Sequence, residues 1–141
     1  MSAPREVIVR GSARAFAQSV EVDGLRFAAD EPRALGGEGV GPTPYDLLLA
    51  ALGTCTSMTV GLYARSHAIA LDDVTVRLTH ERVHRTDCAE CVDQPRSLDR
   101  ITIVLELIGA LTEAQRDRLR QIAARCPVHK TLTSSISIAV R

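Results

Sequence analysis

"GPTPYDLLLAALGTCTSMTVGLYA", residues 41–64, decides how this chain is read. Thr43, Pro44 and Asp46 announce a helix: a hydroxyl at the N-cap, proline at the first helical position, and an acid at N3 facing the positive end of the dipole. Leu47, Leu48, Leu49, Ala50, Ala51, Leu52, Met58, Val60 and Leu62 leave little polar face, so such a helix is wrapped on most sides. In a chain of 141 residues the expected wrapping is a sheet plus a partner subunit. Leu48, Leu52, Cys55 and Leu62 fall on one stripe, which turns Cys55 toward whatever that stripe buries. Taken alone, Cys55 reads as core filler, because free cysteine packs as a small hydrophobe; a reagent is the alternative.

Downstream of this helix, "DDVTVRLTHERVH" (72–84) alternates Val74, Val76 and Leu78 against Thr75, Arg77 and Thr79, the pattern of a half-buried strand. "RITIVLELIG" (100–109) does the same with Ile101, Ile103, Leu105 and Leu107. Thr112 with Gln115 forms a capping box that opens a second helix. Leu119, Ile122 and Cys126 share one face of that helix. "SISIAV" (135–140) closes the chain as an alternating strand.

Upstream, "REVIVRG" (5–11) and "FAQSVEV" (16–22) read as strands, and Asp23-Gly24 turns the chain tightly into "LRFAAD" (25–30). Residues 31–42, "EPRALGGEGVGP", read as a flexible Gly-rich loop, since no Gly-Lys-Ser/Thr follows to make a phosphate cradle. The order is β-β-β-α-β-β-α-β over a single domain, residues 1–141, of the α+β class with antiparallel strands.

Composition narrows the function. Hydrophobic residues are 45% and charged residues 24%, which is globular. Lys plus Arg equals Asp plus Glu at 17 each, so there is no electrostatic footprint for nucleic acid or an anionic membrane. Two Phe, two Tyr and no Trp argue against a stacking platform for single strands. The start "MSAPREVIVRG" has no apolar signal core and no run approaches a membrane span, so the expected location is cytoplasmic. Thiols are kept reduced there, and four cysteines then point to chemistry, metal or redox cycling more than to permanent staples.

"IAARCPVHKTL" (122–132) places Cys126 before a proline that breaks or restarts the helix. If a short helix begins at Pro127, Cys126 is its N-cap, where the dipole favours a thiolate, and His129 and Lys130 lie within one turn. Cys55 is about 18 Å along its own helix from the N-cap, too far for the same help. Two thiols on the buried faces of two helices can meet if the helices pack together. In a reducing compartment such a pair reads as a cycle: one thiol becomes sulfenic acid and the other captures it as a disulfide.

"GPTPYDLLLAALGTCTSMT" followed by "IAARCPVHKTL" resembles the family of osmotically inducible protein C and the organic hydroperoxide resistance proteins, over nearly the whole chain. The resemblance implies an OsmC-like fold, antiparallel sheets wrapped around two central helices in an intertwined homodimer, with active sites at the dimer interface. It implies Cys55 as the peroxidatic nucleophile and Cys126 as the resolving thiol. The family's catalytic arginine precedes the Asp-Gly hairpin, which points to Arg14, with Arg10 second. Its task would be to hold the thiolate and steady the leaving alkoxide. The hydroperoxide resistance branch carries a glutamate where this chain has Tyr45; Asp46 is accounted for by capping, and Glu38 is a substitute carboxylate. That departure favours the osmotically inducible branch.

"THERVHRTDCAEC" (79–91) offers His80, His84, Cys88 and Cys91. A C-x-x-C knuckle with two histidines reads as half a zinc site, as a local dithiol or disulfide, or as plain reduced thiols. The leading expectation is a thiol-dependent peroxidase acting on organic hydroperoxides, with no cofactor (no haem, flavin or catalytic metal), reopened by a lipoyl-type or small-thiol reductant. An apolar pocket from Leu48, Leu52, Met58 and the partner's helices would favour alkyl peroxides. The alternatives are a non-enzymatic redox sensor or small-molecule-binding dimer, and a metalloprotein built on the His/Cys cluster.

Overall fold

The computed structural model describes residues 3–84 and 97–141. Its elements are β1 (Ile8–Gly11), β2 (Gln18–Val22), β3 (Leu25–Ala29), α1 (Pro44–Ser66), β4 (Leu71–His84), β5 (Ser97–Gly109), α2 (Glu113–Ala123) and α3 (Pro127–Leu132), with a 3-10 turn at Arg33–Leu35. Every strand pairing is antiparallel, which makes the chain α+β as the pattern predicts. It divides into two compact units, Met1–Leu48 and Leu49–Arg141.

In the N-terminal unit, β1, β2 and β3 form one sheet in that order. Asp23 (φ 48°) and Gly24 (φ 79°) are both left-handed, and Val22 pairs with Leu25 across them. This is the tight hairpin that the Asp-Gly dipeptide demands. The following loop departs from expectation. Asp30, at the end of β3, is only 2% exposed, and its carboxylate accepts the backbone N–H groups of Glu31 (2.8 Å), Glu38 (3.0 Å) and Val40 (3.3 Å). The backbone packs tightly over it: a Cβ at Gly37 would lie 1.9 Å from the Glu31 carbonyl oxygen. Residues 31–42 are therefore an ordered loop wound around a buried carboxylate rather than a flexible connection. A buried charge must be satisfied, and glycines let the main chain close upon it.

In the C-terminal unit, β4 and β5 pair along their length, with Val74 opposite Leu107, Val76 opposite Leu105 and Leu78 opposite Ile103. These positions form the inner face, and the polar alternates Thr75, Arg77 and Thr79 are exposed, as their period of two requires. On the outer face Arg77 donates to Glu106 at 2.8 Å, which raises the guanidinium's affinity for its proton further. The core centres on Val60, Ala64, Leu107 and Leu119. Burying Val60 and Leu119 completely contributes roughly 1.5–3 kcal/mol each. Tyr63 on α1 accepts a 3.0 Å hydrogen bond from Arg118 on α2, which ties the two helices together.

α1 starts where its caps predict: Thr43 Oγ1 accepts from the Asp46 N–H and Asp46 reaches back to the Thr43 N–H. Its buried stripe is Leu52, Gly53, Thr56, Val60 and Ala64. The expected stripe is thus rotated: Cys55 is half-buried at its flank, and Leu62 is 59% exposed. Small residues win the inner face because helix and sheet approach closely there; a Cβ at Gly53 would meet Leu78 Cδ1 at 2.6 Å. The bulky Met58 (72% exposed) and Leu62 face away from this core, so the single chain does not wrap the helix on most sides. By length and composition alone α1 is long and apolar enough to cross a membrane, which corrects the expectation that no run approaches a span.

The capping box at Thr112 and Gln115 forms as read. α2 ends at Ala123, so Cys126 lies beyond its face, and a short helix does begin at Pro127 with Cys126 as its N-cap, as the proline suggests. Residues 135–141 form no strand: Ile136, Ile138 and Val140 alternate as expected but are 54%, 83% and 95% exposed. Alternation marks an apolar face, and a strand also needs an edge to pair with, which this segment does not take among the described residues.

Candidate active site

Cys126 is fully buried, held by the turn between α2 and α3. Proline at the first position of α3 ends the preceding helix and leaves Cys126 with extended backbone (φ −62°, ψ 144°). Its sulfur accepts the backbone N–H of His129 at 3.2 Å. A second group meets it from α1: Thr56 Oγ1 lies 3.7 Å from Cys126 Sγ, and the same hydroxyl donates to the Leu52 carbonyl at 2.8 Å. The resolving-thiol candidate is therefore packed against the residue that directly follows Cys55. Both cysteines are free thiols.

Two cavities flank this turn. One of about 430 Å³ is lined by Ile103, Leu105, Arg120, Ala123, Ala124 and His129. The other, about 200 Å³, includes Leu52, Asp99, Ile101, Ile103, His129 and Leu132. Met58 instead lines a separate groove of about 560 Å³ with Gly61, Arg65 and Asp73. Leu52 and Met58, expected to share a pocket with the partner's helices, line different cavities within the chain, because Leu52 belongs to the buried stripe of α1 and Met58 is 72% exposed outside it.

Arg14 sits in the N-terminal unit, in the loop between β1 and β2, with its backbone N–H held by Ser12 Oγ at 3.1 Å. Ala13, Arg14, Phe16 and Gly36 line a pocket of about 190 Å³. Among the described residues Arg14 makes no ion pair, whereas Arg10 is engaged with Glu21 at 3.4 Å. Tyr45 is exposed in the first turn of α1. Glu38 is held by its main chain on Asp30.

Of the His/Cys cluster, Cys88 and Cys91 lie outside the described residues, as does the side chain of His84. His80 Nε2 lies 2.8 Å from Asp99 Oδ1. That bond, with the charges of Arg82 and His80, holds the Asp99 carboxyl below its ordinary value against partial burial. At Asp30 burial pushes upward most strongly, but the N–H groups of Glu31, Glu38, Val40 and Gly39 together outweigh it and hold that carboxyl low as well. Among the described residues no cluster of three metal-ligating side chains occurs.

Sequence reading missed Thr56 and Asp30. Both carried a signal: Thr56 lies four residues from Leu52 and from Val60, so it shares their buried stripe and its hydroxyl needs a partner. Asp30 ends a strand just before a run of glycines, where a carboxylate collects backbone N–H groups.

The fold and site define a class: an α+β chain with a half-buried thiol on a long apolar helix and a second, buried thiol capping a short one. Residues 36–141 match the family of OsmC-like proteins, and the chain belongs to that family. No curated protein gives a match. Among solved structures, an OsmC-like protein from Mycoplasma pneumoniae is similar over 95% of this chain and 90% of its own, with a TM-score of 0.73 and 20% identity. The organic hydroperoxide resistance protein OsmC of Legionella pneumophila matches with a TM-score of 0.67 and 21% identity, covering 94% of this chain and 90% of that one. OhrB of Bacillus subtilis, also named an organic hydroperoxide resistance protein, gives 0.65 and 19% over 94% and 92%. At these identities the likeness is one of fold.

Proposed function

We propose that the protein is a cytoplasmic thiol-dependent peroxidase for organic hydroperoxides, working as a homodimer. The observation that carries this reading is the buried Cys126 sulfur against Thr56, the neighbour of Cys55, in a chain of the OsmC-like family. Solved structures of the same fold named for hydroperoxide resistance support it.

Cys55 is the attacking thiolate. Its sulfur takes the distal oxygen of the hydroperoxide: the S–O bond forms as the O–O bond breaks, and the departing alkoxide gains a proton to become the alcohol. Arg14, which unlike Arg10 on β1 makes no ion pair among the described residues, is the candidate to hold the thiolate and steady the alkoxide. Cys126 then attacks the Cys55 sulfenic acid, and an external dithiol of lipoyl or small-thiol type reopens the disulfide. The partner protomer covers the exposed Met58–Leu62 side of α1 and completes the apolar pocket.

Repeated consumption of cumene hydroperoxide with a dithiol tests this reading. Cys55→Ser should abolish consumption, because a hydroxyl is not ionised near neutral pH. Cys126→Ser should react once and then over-oxidise at Cys55 under excess peroxide. A single stoichiometric oxidation by the unaltered protein, with no turnover, would make it a sensor instead.

A further inference from the structure

Thr56 is fully buried and has one hydroxyl proton to give, yet two acceptors lie in reach: the Leu52 carbonyl at 2.8 Å and Cys126 Sγ at 3.7 Å. While Cys126 is a thiol, both needs are met by one arrangement. Thr56 can donate to Leu52 while the S–H of Cys126 donates to a lone pair of Thr56 Oγ1, since hydroxyl and thiol can each take either role. Once Cys126 loses its proton, that arrangement sets a lone pair against a thiolate. Rotation of the hydroxyl then turns its proton onto the sulfur, where it joins the His129 N–H already 3.2 Å away. Leu52 keeps its ordinary helical bond from the Thr56 N–H, so the helix survives the exchange.

We propose that Thr56 is the positioning residue of the resolving thiol, a hydroxyl rotor that stabilises the Cys126 thiolate while it closes the disulfide. This rests on the peroxidase reading above. In the step it serves, the Cys126 thiolate attacks the sulfur of the Cys55 sulfenic acid generated by an organic hydroperoxide. The S–S bond forms, the S–O bond of the sulfenic acid breaks, and hydroxide leaves and takes up a proton as water. The hydroxyl also keeps the sulfur docked against α1, one residue from its target, because a sulfur without it would keep only the main-chain donor.

Single-turnover kinetics with one equivalent of cumene hydroperoxide separate the two steps: dimedone trapping reads sulfenic acid, and thiol counting reads closure. Thr56→Val keeps the shape and removes the rotor. Closure should slow about tenfold relative to sulfenic-acid formation, the effect of one hydrogen bond to a charged sulfur, and its pH profile should move to higher pH. Thr56→Ser should restore both rate and profile, which a purely space-filling role would not require. In the folded unaltered protein, the Raman S–H band assigned to Cys126 by its loss in Cys126→Ser should show a hydrogen-bonded thiol, a readout that does not depend on how well Thr56→Val folds. A free S–H band, or a Thr56→Val closure rate and pH profile equal to the unaltered protein's, would overturn the Thr56 role while leaving the peroxidase intact. If Cys126→Ser leaves the fate of the sulfenic acid unchanged, the resolving role of Cys126 fails and the Thr56 proposal falls with it.

Discussion

Cys55 and Thr56 are neighbours in sequence and face different surroundings: the thiol is half-buried at the edge of the helix stripe and the hydroxyl is sealed inside it. One hundred degrees of helical rotation per residue separates a group that solvent can reach from one sealed in the interior. The helices that carry the two thiols were legible because each start has its own local signal, Thr43 with Asp46 for α1 and Pro127 for α3. The burial of Cys126 and its place at the start of α3 were read correctly; the setting of Cys55 was not, because burial on a helix this apolar is decided by which small residues let the sheet approach. Asp30 illustrates the same limit, since its three backbone donors, Glu31, Glu38 and Val40, are spread over the following ten positions. Its carboxyl, like that of Asp99, is held low in the folded state. The stability each contributes is therefore fully present above the unfolded value of about 3.9 and is lost as pH falls through the lower folded value. Asp30→Asn should lower the urea midpoint at neutral pH, and its deficit should shrink as the unaltered protein is acidified below about pH 4. A deficit constant with pH would show that shape rather than charge holds the loop. At Arg14, replacement by Ala should slow peroxide reduction roughly tenfold or more near neutrality. Part of that loss should return in alkali, where thiolate forms without the cation's help; a rate insensitive to the substitution would assign the cation's role to another residue, Lys130 being a candidate.

The elements were the most readable level. Alternation gave β4 and β5 with their inner faces, the Asp-Gly turn gave the β2–β3 hairpin, and capping boxes gave the starts of α1 and α2. These are local signals, encoded within a few residues of where they act. The loop at 31–42 and the closing strand depended on what the segments meet, and periodicity carries no such information. Burial ranks the helix positions sharply. Leu119→Ala, in the core of the C-terminal unit, should cost about 2–5 kcal/mol in denaturant unfolding. Met58→Ala, at an exposed position of the single chain, should change monomer stability by no more than about 0.5 kcal/mol. Equal costs at the two positions would mean that the α1 packing described above is misassigned.

At the scale of the whole molecule, exposed apolar groups recur on α1 at Met58 and Leu62 and near the C-terminus at Ile136, Ile138 and Val140. Surface of this kind, contributed by a long helix and an alternating segment, suits burial by a second copy, and sedimentation should find a dimer well below micromolar concentration. Replacing both Met58 and Leu62 by Glu should shift it to folded monomer and remove turnover with it; a monomeric unaltered protein would take the interface out of the mechanism. The central claim is that the oxidised state of this protein is a bond between Cys55 and Cys126, and disulfide mapping tests it most directly. After one equivalent of cumene hydroperoxide and rapid alkylation, peptide mass analysis should find Cys55 joined to Cys126, with Cys88 and Cys91 alkylated. A Cys88–Cys91 bond, with Cys55 and Cys126 both recovered as free thiols, would contradict the account.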